Sequence, residues 1–256
     1  MTVEKILVIP HGDELINHTG EQSRKMADTI RDMMSGLGHD VIAIMSPHGV
    51  RLGSHIPVVM TENLEGRIKI GAYRITGRYK TEKELARLIL ESNETFEEVG
   101  FITSSGPLSK FPLDFGTLIP LHFTDRRELV YLGQSRLKER KLLLNAGASF
   151  AKVISGYPRK ILVIISADQA HTHSPDGPYG YSAMAARYEE MIISMFEEGT
   201  LKGIEEIPES VVQDAKPDSF WGLVFLRGVL STLRIRMKMR YHYVERYFGM
   251  LAAQSE

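Results

Sequence analysis

Cysteine is absent from the 256 residues, which excludes disulfides, thiolate metal ligands and a cysteine nucleophile. A bound metal therefore has to be held by histidine, aspartate, glutamate or backbone oxygen. An excess of one charge is lacking too. Lys and Arg number 31 against 32 Asp and Glu, a formal net charge of -1, so no global field points to nucleic acid or an anionic membrane as partner. No stretch approaches the ~20 apolar residues of a spanning helix, and the run into Pro10 lacks the apolar core of a signal peptide. A soluble, cytoplasmic protein with neither membrane nor nucleic acid as partner is expected. Low-complexity segments and linkers are missing as well, and 43% of the residues are hydrophobic. That is ample for a core, so residues 1–256 are read as a single domain.

The chain is organised around Ser166 to Tyr181, SADQAHTHSPDGPYGY, which comes directly after the apolar run Ile161 to Ile165. An uninterrupted β-branched run reads as a strand buried on both faces, and the Gly/Pro-rich segment after it reads as a loop at the strand's C-terminal end. Open α/β sheets bind ligands at such ends. Asp168, His171, His173 and Asp176 make this an expected active-site loop, with a structural turn as the alternative.

A second pattern is a repeated tripeptide. The strand Lys5 to Pro10 ends in Pro10-His11-Gly12, a helix is expected over Glu21 to Leu37, and the strand Val41 to Met45 leads into Pro47-His48-Gly49. Two strands of a βαβ unit thus deliver histidines to one edge of a sheet. Further strands are expected at Pro57 to Met60, Arg67 to Ala72, Val99 to Thr103 and Glu128 to Leu132. Helices are expected over Thr81 to Glu91, opened by a Thr81/Glu84 capping box, and over Ser135 to Ser155, Ser182 to Glu198, Pro208 to Gln213 and Ser219 to Leu230. Pro112 to Phe123 reads as a loop entering a strand. From Leu233 to Tyr241 apolar and basic residues alternate, which reads as a strand with one basic face. Together these define an α/β fold, a three-layer domain with a central mixed, largely parallel β-sheet flanked by helices.

His11 and His48, at matching strand ends, are candidate metal ligands. Two imidazoles need a carboxylate to form the facial arrangement suited to non-haem Fe(II); the same ligands plus water would hold Zn. Asp13, Glu14, Glu21, Asp168 and Asp218 are the candidate carboxylates. Asp218 opens a helix, where N-capping is an equal alternative. His171 is the best general base, since neutral imidazole accepts a proton near pH 7. His173 could orient it or bind substrate, and His122 could reach the same pocket. Tyr179 and Tyr181 read as pocket lining or packing anchors.

Pro10-His11-Gly12, Ser46-Pro47-His48-Gly49, DFGTLIPL at Asp114 to Leu121, SADQAHT with SPDGPYGYS after it, and Asp218 with Trp221 close behind resemble the class III extradiol ring-cleavage dioxygenases, whose fold the Memo proteins share. The resemblance runs from residue 6 to about 250. It implies Fe(II) held by His11, His48 and Asp218, where the family usually has glutamate, with His171 as acid/base. The implied reaction is cleavage of a small catechol-type aromatic substrate by dioxygen. The family commonly has a histidine at Phe115, so this phenyl ring is expected to line the substrate pocket without handling protons. Alternatives are a Memo-like protein that binds a metal or ligand without catalysis, and a zinc-dependent hydrolase. A homo-oligomer, in the simplest case a dimer, is expected.

Overall fold

The computed structural model describes residues 2–256. Its centre is an eight-stranded mixed sheet. Strands β1 (Val3–Ile9), β9 (Ile161–Ser166), β2 (Val41–Ser46) and β8 (Glu128–Gly133) lie side by side in the middle of it and run parallel. Their side chains alternate between two cores. Ile6, Val8, Ala43, Met45, Val163 and Ile165 face one, while Leu7, Ile9, Ile42, Ile44, Leu162 and Ile164 face the other. Burial on both faces explains why these strands read as continuous apolar runs.

Helices α2 (Lys83–Ser92), α4 (Arg140–Gly156), α5 (Met184–Glu198), α6 (Glu209–Ala215) and α7 (Phe220–Leu233) contribute to the first core. The second is covered by α1 (Glu21–Met34), α3 (Phe115–Leu121) and a small sheet of β5 (Tyr73–Lys80), β4 (Asn63–Ile70) and β7 (Lys110–Pro112). The remaining strands of the large sheet are β3 (Ile56–Val59), β6 (Phe96–Val99), β10 (Met237–Glu245) and β11 (Phe248–Ser255), which complete the order β10-β11-β1-β9-β2-β8-β3-β6. Strand β3 runs antiparallel to β8, and β11 antiparallel to β1. The three-layer mixed α/β architecture expected from the sequence is the one observed.

Local readings differ from the structure in several places. Pro112 to Phe123 holds helix α3 instead of a loop into a strand, because the Asp114 carboxylate caps it by accepting the Thr117 amide at 3.0 Å. Thr81 caps nothing. Its hydroxyl donates to the Thr61 carbonyl, and α2 starts two residues later. The third apolar strand ends at Val99, and Ile102 beyond it is 83% exposed. The alternating segment begins at Met237, because Leu233 still closes α7 and Arg234 turns the chain with φ +56°. Strands β5 and β11 were not expected at all.

Helices α4 and α7 bring backbone against backbone where two glycines meet the facing helix. A Cβ on Gly147 would fall on the Phe225 carbonyl, and one on Gly228 on the Leu144 carbonyl. Asp218 lies two residues ahead of α7, so this crossing fixes its position. Gly147→Ala is expected to cost about 1–3 kcal/mol of stability by overpacking and to weaken metal binding as α7 shifts. Denaturant unfolding and metal titration of the variant check both.

Candidate metal centre and its aromatic cavity

Because β1, β9 and β2 are adjacent and parallel, their C-terminal ends share one edge, where open α/β sheets place ligands. His11 lies just past β1, His48 just past β2, and the segment bearing Asp168 and His171 just past β9. Asp218 comes from the opposite direction, ahead of α7. The Nε2 atoms of His11 and His48 are 2.8 Å apart, and each is 3.1 Å from Asp218 Oδ2. Asp218 is not a helix cap. Its Oδ1 accepts the Asp168 amide at 2.9 Å, its carbonyl is held by Gln134 Nε2 at 2.8 Å, and α7 has no side-chain cap.

The ring of His11 is set by a chain of bonds that starts at a proline. Pro120 lies four residues after Gly116 in α3 and has no N–H to offer its carbonyl. That carbonyl instead accepts the Ser166 hydroxyl at 2.5 Å. With its proton so engaged, Ser166 Oγ accepts from His11 Nδ1–H at 2.9 Å. In neutral His11 the lone pair must then sit on Nε2, which faces His48 and Asp218. Such an outer partner fixes tautomer and orientation in metal sites.

His48 is braced through Asp114. The carboxylate accepts from the hydroxyls of Ser46 at 2.6 Å, Tyr131 at 2.9 Å and Thr117 at 2.9 Å, while the His48 amide donates to Ser46 Oγ at 3.4 Å. Any side chain at Gly49 would collide with the Tyr131 hydroxyl and Asp114, which accounts for the glycine after His48. Phe115, next to Asp114, lies 4.2 Å from the His48 ring and 5.7 Å from that of His11, centroid to centroid.

Two buried carboxylates shape the electrostatics. Asp168 Oδ1 accepts the His11 amide at 3.0 Å, and its Oδ2 is 3.4 Å from His11 Nε2. Burial by itself would depress the His11 pKa, but the charges of Asp168 and Asp218 outweigh it and raise the pKa to about 9. Burial opposes ionisation of Asp218 as well, yet His11, with a bond from His48, holds it below the usual carboxylate range. Asp168 is pushed up by burial and by its neighbour Asp218, against the pull of His11. Two triplets among the described residues can hold a cation: His11, His48 and Asp218, and Asp168, His171 and Asp218.

His171 donates its backbone amide to the Ala215 carbonyl at 2.8 Å and its Nδ1–H to the Lys216 carbonyl at 3.1 Å. Its Nε2 is thereby left as the acceptor, 4.0 Å from Asp218 Oδ2. The ring stacks on Phe248, with centroids 5.7 Å apart.

Other expected residues lie elsewhere. His173 donates to Glu189 Oε1 at 3.3 Å, and His242, read from the sequence as an ordinary surface residue, donates to Oε2 at 2.7 Å. Glu189 also accepts the Ala170 amide at 3.1 Å. Burial raises the Glu189 pKa, but its two histidine bonds outweigh this and keep the carboxyl low. His122 sits at the far end of α3, edge-on to Phe123 at 5.6 Å, because seven helical residues carry it away from Phe115. Tyr181 bridges back to His173 and is 66% exposed. Tyr179 does reach the site. With Phe115, Ile70, Pro178, Tyr247 and Phe248 it walls a cavity of about 550 Å³ over His11, His48 and His171. Tyr247 and Phe248 escaped the sequence reading because they belong to the unexpected turn into β11.

A sheet edge that gathers two histidines and an aspartate under an aromatic wall gives this α/β fold a set of donors that could hold a metal ion. The family model "Catalytic LigB subunit of aromatic ring-opening dioxygenase" matches residues 6–253, and the chain belongs to that family, within the class III extradiol dioxygenase and Memo-like superfamily. Protein CA_C1420 of Clostridium acetobutylicum is 22% identical over 247 residues, covering 90% of this chain and 53% of that protein. The chain thus spans about half the length of this curated relative. The crystal structure of the uncharacterized protein JW3007 from Escherichia coli K12 superimposes with a TM-score of 0.68 at 13% identity, covering 98% of this chain and 99% of that one, and so shares the fold. No helix among the described residues is long and apolar enough to cross a membrane.

Ser166→Ala is expected to weaken metal binding by about 10- to 100-fold, the usual effect of losing an outer partner, as read by competition with a chelating dye. In the metal-free protein the folded pKa of His11, about 9, exceeds the ~6.5 of an unfolded chain. The stability it adds is therefore complete below about pH 6.5 and is lost as the pH rises through 9. A cation must displace that proton, so affinity should climb with pH and level off above about 9. Calorimetry in buffers of different ionisation enthalpy would count the released proton.

Proposed function

We propose that the protein is a non-haem Fe(II)-dependent extradiol dioxygenase that cleaves a catechol-type aromatic ring with dioxygen. The observation that carries this reading is the spacing of the three donors. Donors on one face of an octahedron, each about 2.1 Å from the centre, stand about 3.0 Å apart, against about 3.4 Å for a tetrahedron. The separations of 2.8, 3.1 and 3.1 Å lie near those of an octahedral face. The lone pair directed to Nε2 of His11 and the ionised Asp218 make a donor set that a divalent cation fits.

When bound, iron(II) supplies open neighbouring coordination positions and the electron transfer that lets dioxygen react with an aromatic ring. The chain supplies the rest. Phe115, Tyr247 and Phe248 hold the ring by apolar contact and exclude water, and His171 Nε2 accepts a phenolic proton from the substrate. Lys216, through its carbonyl, keeps the other ring nitrogen of His171 protonated, so that the accepting nitrogen faces the cavity. The ring carbon–carbon bond beside the diol breaks, both oxygen atoms enter the product, and the proton on His171 is returned as the ring opens.

Phe115 favours a second reading, a Memo-like member that binds metal or ligand without ring cleavage. A phenyl ring 4.2 Å from His48 cannot donate a proton where the family commonly has an imidazole. Anaerobic reconstitution with Fe(II), then oxygen uptake and near-ultraviolet absorbance over a panel of catechols, separates the two. Stoichiometric uptake with a yellow product is expected, abolished in His48→Ala and reduced about 10²- to 10⁴-fold in His171→Ala. Full iron occupancy without uptake would favour the second reading.

A further inference from the structure

The donor face borders a second cavity, of about 700 Å³, which shares His48, His171 and Tyr179 with the aromatic one. The two differ in charge. Asp13, Glu14 and Asp168 line the aromatic cavity, with Lys69 as its one ordinary cation. The second is lined by Arg51, Arg136 and Lys216 together with Trp221 and Asp218.

The acids within reach of these three cations are engaged elsewhere. Glu209, on the same wall, is held by Arg140 at 2.8 Å and by Gln213 at 3.2 Å. Asp218 faces the imidazoles of His11 and His48. Arg51, Arg136 and Lys216 have no carboxylate partner within ion-pair distance among the described residues, whereas Arg159 pairs with both Glu82 and Glu128. The Arg136 guanidinium carbon lies over the Trp221 ring, 4.7 Å from its centre, a cation–π contact that leaves its N–H groups for a ligand. Burial, and then the charge of Arg51, depress the Arg136 pKa, against a smaller opposing effect of Asp218. Arginines beside the donor face that form no ion pair are what an incoming oxyanion would engage.

We propose that this compartment is an anion subsite, in which Arg51 and Arg136, with Lys216 at the edge, hold a carboxylate or phosphate group of the substrate whose reacting end lies at His11, His48 and Asp218. The inference rests on the dioxygenase reading for the nature of that reacting end alone. Asp13 and Glu14 disfavour the same anion in the aromatic cavity, so the field across the donor face favours one orientation of the substrate.

Trp221 is the chain's one tryptophan, so its emission reports on this compartment. Titration of the full chain at low ionic strength with inorganic phosphate and, separately, with benzoate is expected to give a saturable change for at least one of them, and the better ligand names the oxyanion. Its dissociation constant should rise about tenfold or more in Arg51→Gln and in Arg136→Gln. Arg51→Gln leaves the Trp221 stacking partner in place, so its effect belongs to the ligand. No saturable change with either anion up to about 10 mM, or titrations unaltered in both variants, would overturn the subsite. Kinetics with a carboxylated catechol and its methyl counterpart test the two proposals apart. A lower KM for the acid, with the ratio of the two KM values collapsing toward one in Arg51→Gln, supports the subsite. Equal KM values for the two catechols, unmoved by the substitution, would remove the subsite and leave the dioxygenase standing. Anion binding without turnover of any catechol would do the reverse.

Discussion

A backbone carbonyl without an amide to accept governs the centre of this protein. Pro120 frees the carbonyl of Gly116, Ser166 occupies it, and the remaining capacity of Ser166 fixes which nitrogen of His11 carries a proton. Helix α3, strand β9 and strand β1 are tied together at one point, and the lone pair of a candidate metal ligand is aimed as a result. The same helix carries Asp114 and Phe115 at its start, so one short element braces His48, presents an aromatic wall and directs His11. Buried Asp168 and Asp218 add a requirement for positive charge that either a proton on His11 or a cation can meet.

The segment carrying His171 is held nearly as firmly as the strands. Gln169 and Ala170 pair with Gly249 of β11, and Glu189 collects the Ala170 amide and two imidazoles. A buried carboxylate with three donors is well satisfied, and breaking one of those bonds would leave it unpaired. His171 therefore stands on a rigid support, with Phe248 behind its ring and the Lys216 carbonyl on its Nδ1. Chemistry that depends on one accepting nitrogen gains from such immobility.

Much of this was readable from the chain because it depends on local signals. Apolar runs ending in Pro-His-Gly mark buried parallel strands and the histidine-bearing turns at their ends. Adjacent parallel strands must then bring His11, His48 and the Ser166 to Tyr181 segment to one edge. Asp218 was ambiguous until its partners were known, since a cap and a ligand look alike in sequence. The features that escaped depend on contacts distant along the chain. Glu189 and His242 meet across 53 positions, and Tyr247 and Phe248 reach the cavity only because β11 pairs beside β1. His173 and His122 misled for the same reason. His173 is drawn to Glu189 while the Lys216 carbonyl holds His171, and one helix separates His122 from Phe115.

The donors themselves are spread along the chain, with 170 positions between His48 and Asp218. On a growing polypeptide the two imidazoles are out long before the carboxylate, and the site stays open until α7 docks against α4. A cation of moderate affinity would be shed by the imidazole pair and retained by the finished site. A complete set of candidate donors thus depends on the docking of the helix that follows Asp218.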